Sequence, residues 1–526
     1  MTSAEPTPEP LDPIEPTRAA TSPAVWVLAT LALLTISFSA WRPAPAGVWH
    51  DDGVYMMIGQ ALAEGDGLVY GGVPGSPPAA KFPPLYSALL ALLWLLFGDL
   101  ATVTLAAGFL NLALVTASGL LLGRILHQRA GVPAVLAALG GILAFASGDV
   151  LRHAIVPLSE SLFVFLSLLA LSAWPKNEST NDFRAVSLTL VALALTRSAA
   201  IAFIAGAGLT LLLQKRWKAT LFATGPALAT MLIWGAWSRR AAAEIPGGME
   251  DILGPYTGWL SGQLLDSPAA FLGGLPSHAF AVLERVAVLA LPRTSGGLLL
   301  ILGLLVAPLL VLGMRRIARD LPVFVACAAL YFGLLLAWPY ADRRLVVPLH
   351  PLVTGAIIAG GWACAREWRT VRWKALLTAG AAAWILGYSA MSALRIADGW
   401  PSAAFVIRTG QLAPALEALE RIAPPDAIVG APELWPALAL HGGWSVIPSA
   451  RFRPAASDSL QPVWGSPDDQ IALWRSARMT HLVLEQGGMI HGAALDSLQA
   501  RCPGSVGVVA AFPPQQLVRL DWDRCG

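Results

Sequence analysis

Charge is scarce in this chain. Asp, Glu, Lys and Arg make up 13% of its 526 residues and hydrophobic residues 56%, whereas an average soluble domain is roughly 25% charged. Mean hydropathy is +0.62. These values exclude an ordinary soluble or disordered protein and imply a polytopic membrane protein. The net charge of +2, with no basic cluster interleaved with aromatics, excludes a nucleic-acid surface. Cysteine is also sparse. Four cysteines are too few for a disulfide scaffold, and no C-x-x-C or Cys/His spacing suggests zinc. Cys327 and Cys364 fall in apolar runs, whereas Cys502 and Cys525 flank the end of a polar C-terminal region and either pair or remain two surface thiols. Solenoid and inverted repeats are absent to inspection.

What the chain has in abundance is long apolar runs. After a Pro-, Glu- and Thr-rich tail over 1–23, read as disordered and cytoplasmic, Ala24 to Trp41 is a first span. Ala44-Pro45-Ala46 mimics a cleavage site, but the basic residues expected before a signal peptide are missing beyond Arg18, so the span is read as uncleaved. Further runs long enough to cross are Val103 to Leu122, Pro133 to Ala146, Ile155 to Ala173, Leu221 to Trp237, Gly296 to Leu312, Leu321 to Trp338, Leu345 to Cys364 and Ala375 to Leu394. Pro84 to Phe97 is short and reads as an interfacial or re-entrant helix.

Ala185 to Leu213 contains Arg197. In one continuous helix that arginine would sit at mid-membrane, at a cost of roughly 2.5 to 3.5 kcal/mol. Two short spans joined at Arg197 avoid the cost and bring the total to about eleven. The alternative single span requires a further helix between Arg239 and Arg293. With eleven, Arg124 and Arg129, Lys176 and Arg184, Lys215 to Lys218, Arg315 to Arg319, and Arg366 to Lys374 fall on one side, the cytoplasm by the positive-inside rule. The membrane domain is then 24–395, its first outer loop is 42–101, and 396–526 lies outside. That last region alternates β-rich runs (Ala427 to Ala431, Ser445 to Ile447, Leu482 to Glu485, Val506 to Ala511) with helical segments such as Pro467 to Met479, and predicts a small α/β domain.

The polar residues that remain collect at the outer boundary. The first outer loop carries His50-Asp51-Asp52-Gly53-Val54-Tyr55 and, further on, Lys81-Phe82-Pro83-Pro84-Leu85-Tyr86. A carboxylate there can take a proton from a hydroxyl, and a cation can stabilise a departing phosphate. The cation candidates are Lys81, Arg343, Arg344 and Arg152, and a lipid phosphate at the surface meets them without their entering hydrocarbon. Each has a plainer reading. One of the two acids could be a helix N-cap, Lys81 could snorkel, and Arg343 and Arg344 could pair with Asp342 or headgroups. Glu160, at the start of a span, is a functional candidate that could equally pair with Arg152 or Arg197. His50 with both acids could hold a divalent cation, although no cofactor is otherwise implied.

In their order, Asp51-Asp52-Gly53-Val54-Tyr55, Lys81-Phe82-Pro83-Pro84 and Arg344-Leu345-Val346-Val347-Pro348-Leu349-His350-Pro351 resemble the GT-C fold glycosyltransferases. The resemblance is greatest to the bacterial branch related to protein O-mannosyltransferases and lipid A aminoarabinose transferases. It covers roughly Ala24 to Leu394. It implies an enzyme of the bacterial inner membrane and cell envelope that moves a sugar from a polyprenyl phosphate, with inversion, to the hydroxyl of a lipid, glycan or protein. The family's base falls on Asp51, with Asp52 where glutamate is usual. The donor-phosphate lysine falls on Lys81, the late arginine on Arg344, and an acid of the fourth span on Glu160. Tyr55 joins Arg343 and Arg152 among the substrate-binding candidates. The rival readings are a lipid-linked sugar transporter or flippase, which would place charges in broken helices near mid-membrane, and a noncatalytic assembly scaffold.

Overall fold

The computed structural model describes residues 23–175, 180–246, 249–256, 268–292, 294–338, 342–367, 371–450, 452–453, 463–485 and 489–525. The expected tail lies almost wholly outside them. Most described residues are helical. Among the described residues six helices are long and apolar enough to cross a membrane: Pro23–Ala40, Leu100–Ala130, Trp217–Ala242, Phe271–Ala290, Gly296–Asp320 and Lys374–Ala397. Ala134–Phe145 and Gly148–Ala154, bent by 64° at their junction, make a seventh when taken together. Leu85–Phe97, Glu160–Ser172, Arg184–Ala194, Ala200–Leu213 and Pro322–Ala337 are apolar but shorter. Small residues let some of these helices touch closely. A Cβ on Gly206, for example, would lie 2.8 Å from the backbone nitrogen of Cys327.

The run from Ala185 to Leu213 is interrupted, as the arginine within it requires. Arg184–Ala194 stops before Arg197 and Ala200–Leu213 resumes after it. Helix ends leave carbonyls and amides without intrahelical partners, and here two ends satisfy each other: the amide of Leu85, behind Pro83-Pro84, donates to the carbonyl of Leu195 at 2.8 Å. The structure also contains the helix Pro268–Ala290, which the apolar runs did not reveal because Pro276, His278, Glu284 and Arg285 dilute it.

Asp51–Glu64 begins at His50, whose φ of 83° turns the chain into the helix, and ends at Gly65 with φ 91°. Val54, Met57, Ile58 and Ala61 are buried along it.

The C-terminal region is α/β. Strands β1 (Ile428–Ala431), β2 (Ser445–Pro448), β5 (His481–Glu485), β6 (Val506–Phe512) and β7 (Gln515–Leu520) form a sheet in the order β2-β1-β5-β7-β6, and β3 (Phe452–Arg453) and β4 (Val463–Trp464) form a separate pair. β1 runs parallel to β2 and β5, while β7 is antiparallel to β5 and β6. Cys502 and Cys525 are joined in a disulfide.

This unit is fastened to the loop over 42–101. Val446 donates its amide to the Gly72 carbonyl at 2.8 Å, and Arg408 reaches the Val48 carbonyl at 3.0 Å. A Cβ on Gly53 would lie 2.6 Å from Cβ of Pro436, so only glycine lets the helix Trp435–Gly442 press on the start of Asp51–Glu64.

Candidate active site

Two adjacent residues on a helix point about 100° apart, and Asp51 and Asp52 follow this rule. Asp52 is fully buried and accepts the amides of Gly47 at 2.8 Å and Trp49 at 3.0 Å, one on each oxygen. Burial raises its carboxyl to about 6, with the Gly47, Gly53 and Trp49 amides pulling the other way. Its bonds hold the preceding loop, and neither acid makes the N-cap bond of the helix. The structure therefore does not bring Asp52 to Asp51's partners. The cation set of His50, Asp51 and Asp52 is likewise not assembled, because both Asp52 oxygens are engaged by backbone. Among the described residues no group of three or more His, Cys, Asp and Glu side chains could hold a metal.

Asp51 faces the other way. Its Oδ2 accepts Nη1 of Arg344 at 2.5 Å, and its Oδ1 lies 3.1 Å from Nδ1 of His50. Burial alone would raise Asp51, but Arg344, then His50 and Lys81, outweigh it and hold the acid well below its ordinary 3.8. The indole Nε1 of Trp435, only a donor, gives its hydrogen to Nε2 of His50 at 2.8 Å. Nε2 is thereby the acceptor and the neutral imidazole carries its proton on Nδ1, directed at Asp51. Trp435 comes from the C-terminal unit and is fully buried.

Arg344 also donates through Nε to Oε1 of Glu160. Arg197 donates to the same Oε1 at 2.6 Å and to the Ser159 hydroxyl at 3.0 Å, which Tyr55 meets at 2.9 Å. Glu160 thus pairs with Arg197 and Arg344, and among the described residues it makes no bond to Arg152. Its Oε2 is buried without a hydrogen-bond partner among the described residues. The chain Asp51–Arg344–Glu160–Arg197 balances two acids against two guanidiniums, with Asp51 and Arg344 only 14% and 12% exposed. A buried network of this kind is specific in geometry and costly to break.

Lys81 is 8% exposed. Its Nζ donates to the Ile252 carbonyl at 3.0 Å and lies over the rings of Tyr256 and Phe82. Burial lowers it to about 8, although Asp51 pulls it upward. Tyr55 packs against Phe82 and Tyr86 at ring distances of 4.8 and 5.2 Å. Lys81, Asp51, Arg344, Glu160 and Tyr55 are therefore one neighbourhood.

Arg343 and Arg152 are elsewhere. Arg343 lies 3.9 Å from Asp149, and Arg152 bonds the Trp400 carbonyl at 3.0 Å. Arg197 could be anticipated from its cost inside a span, whereas nothing in the motifs signalled His50's bond to Trp435 or the Tyr256 ring.

With this geometry, solved structures give the comparison. ArnT from Cupriavidus metallidurans in the apo state superposes with a TM-score of 0.56 at 16% identity, covering 96% of this chain and 100% of that one. The same protein bound to undecaprenyl phosphate gives 0.55 at 14% identity, covering 96% and 98%. The Archaeoglobus fulgidus oligosaccharyltransferase in complex with Zn and sulfate gives 0.51 at 12% identity, covering 88% of this chain and 68% of that one.

The chain has the GT-C fold. No protein-family model matches the sequence, and no curated protein does. The superposition on ArnT extends over 96% of the chain, so the likeness takes in the C-terminal sheet as well as the helices.

Proposed function

We propose that this protein is an integral membrane glycosyltransferase that moves a hexosyl or pentosyl group from a polyprenyl-phosphate donor to an acceptor hydroxyl, with inversion. The observation that carries the reading is the Asp51–Arg344–Glu160–Arg197 chain with Lys81 beside it. Such a cluster offers one carboxylate as base and at least two cations for a phosphate leaving group. The bound lipid phosphate in one of the ArnT structures agrees with that chemistry.

In the proposed mechanism Arg344 covers Asp51 until a donor phosphate arrives. The phosphate competes for the guanidinium, and Arg344 and Lys81 bind it together. Releasing Arg344 removes the main charge that keeps Asp51 weakly basic, so donor binding itself readies the base. Asp51 then takes the acceptor hydroxyl proton as the oxygen attacks the anomeric carbon, and the glycosidic bond breaks toward the phosphate. The spare Oε2 of Glu160 accepts a substrate hydroxyl, and Tyr55 shapes the wall. Asp52 supports the loop. In this step Lys81 and Arg344 supply the positive charge that meets the departing phosphate.

The same proposal places the protein in the bacterial inner membrane with about eleven crossings, its N-terminus cytoplasmic and its sheet unit extracytoplasmic. Counted as a full crossing, Pro268–Ala290 would turn Arg315, Arg316 and Arg319 to the side opposite Arg124. It is therefore taken to lie at the interface, which Glu284 and Arg285 in its second half favour.

The test is consumption of radiolabelled polyprenyl-phosphate sugars by purified protein. One donor should be consumed, and Asp51→Asn should reduce the rate by about 10²- to 10⁴-fold, the usual worth of a general base. A variant as active as the parent would end this reading, as would a panel of donors none of which is consumed.

A further inference from the structure

Arg343 and Arg344 stand side by side on the one-turn helix Arg343–Val346, and they diverge. Arg344 enters the acidic chain. Arg343 turns toward Asp149, where Arg395 donates to Oδ2 at 2.7 Å and the Trp400 indole to Oδ1 at 3.3 Å. Around that indole stand three guanidiniums, with central carbons 4.3 Å (Arg152), 4.9 Å (Arg395) and 6.0 Å (Arg343) from the ring centre.

The backbone builds this arrangement. The helix Val371–Ala397 closes with Trp400 donating its amide to the Arg395 carbonyl at 2.9 Å, next to Gly399 at φ 70°. A Cβ on Gly148 would lie 2.9 Å from Cδ1 of Trp400, so glycine at that position lets the indole lie against the helix Gly148–Ala154.

Charge and hydrogen bonding in the cluster are both incomplete. Among the described residues three arginines share the carboxylate of Asp149, two more positive charges than it balances. Each guanidinium has five N–H donors, yet among the described residues the acceptors supplied are the two Asp149 oxygens and the Trp400 carbonyl. Asp149 is 1% exposed and closely shared, and Arg343 reaches it only at 3.9 Å. Nε of Arg152 is buried without a hydrogen-bond partner among the described residues. This buried donor and the like charges are both unfavourable until an anion meets them. Arg343, 32% exposed, leaves an approach from solvent or headgroups. Planar guanidiniums suit the paired oxygens of a phosphate.

We infer that Arg152, Arg343, Arg395 and Trp400 form a second oxyanion site, separate from the Asp51–Arg344 cluster, that takes a phosphate group. The ligand is a phosphate carried by a lipid headgroup or free in solution. The inference concerns binding alone and stands whether or not the protein transfers sugar.

The experiment uses the full chain in neutral detergent. Bound phosphatidylglycerol is counted by native mass spectrometry against phosphatidylcholine, and inorganic phosphate is titrated both as a competitor and, alone, as a thermal stabiliser. The site should retain phosphatidylglycerol saturably, or be stabilised by inorganic phosphate alone. The first result identifies a headgroup source and the second a soluble one. Arg343→Gln, at a partly exposed position that should fold, should weaken the response about 10- to 100-fold, the worth of a charge-assisted bond. Arg42→Gln, an exposed arginine outside the cluster, should leave it unchanged. The inference is overturned by no selective response to either probe, by Arg343→Gln binding as the parent does, or by an equal loss in Arg42→Gln.

Discussion

Replacing Trp435 by Phe tests whether the C-terminal unit sets the state of the proposed base. Phenylalanine keeps most of the apolar bulk and deletes one donor, the Nε1 hydrogen 2.8 Å from His50 Nε2. His50 is then free to carry its proton on Nε2, which turns the Nδ1 lone pair toward Asp51 and replaces an attractive contact by a repulsive one. The imidazole is 29% exposed, so water can replace part of the loss, and the net cost is that of one ordinary hydrogen bond, about 0.5 to 1.5 kcal/mol. Because the same contact also lowers Asp51, the fall comes from lost positioning of the carboxylate, and expressed at the transition state it is about 2- to 13-fold in kcat. The donor KM should hardly move, because Lys81 and Arg344 are untouched. The assay is transfer from the accepted polyprenyl-phosphate sugar by Trp435→Phe, His50→Ala and the double variant. If Trp435 acts through His50, the double variant is no slower than His50→Ala. Losses that simply multiply, or a Trp435→Phe rate equal to the parent's, would refute the coupling.

Three other outcomes follow from the same geometry. Lys81 must be protonated to hold a phosphate and is lowered to about 8, chiefly by burial, so kcat/KM for the donor should fall as pH rises through about 8. Lys81→Arg should remove that limb, and a parental profile flat to pH 10 would contradict it. Glu160→Gln leaves two guanidiniums that are 12% and 18% exposed without their shared carboxylate. Breaking a buried pair costs about 3 to 5 kcal/mol, and thermal unfolding in detergent should show a clear drop, an unchanged midpoint being the contrary result. Replacing Cys502 and Cys525 by serine opens a loop spanning 23 residues. By chain entropy this removes about 3 kcal/mol from the sheet unit, to be read as earlier proteolysis of the C-terminal region, and protease resistance equal to the parent's would count against it.

Much of this architecture was readable from residue order, and the exceptions have physical causes. Asp51, Lys81, Glu160 and Arg344 were legible because acids and bases at the edges of apolar runs are expensive unless used. Arg197 was legible for the same reason, as the point where a helix had to break. Roles within adjacent pairs were not. Asp51-Asp52 and Arg343-Arg344 look equivalent in sequence, but a helical turn sends their side chains in different directions, one of each pair into the acidic chain. The helix Pro268–Ala290 entered only as the further helix that a single span over Ala185 to Leu213 would require, because its apolar residues are interrupted. Strand β7 was not anticipated, since Gln515, Gln516 and Arg519 give it a polar composition even though it pairs along β5 and β6. Trp435's bond to His50 joins residues 385 positions apart and leaves no local trace.

The amide of Leu85 resting on the carbonyl of Leu195 works as a yoke. It ties the segment bearing Lys81 to the interruption bearing Arg197, main chain to main chain, with no side chain to adjust between them. A push on one is handed to the other. Insertions or deletions on either side of this joint should therefore misplace both halves of the cluster at once, and the two segments would be expected to tolerate change only when they change in step.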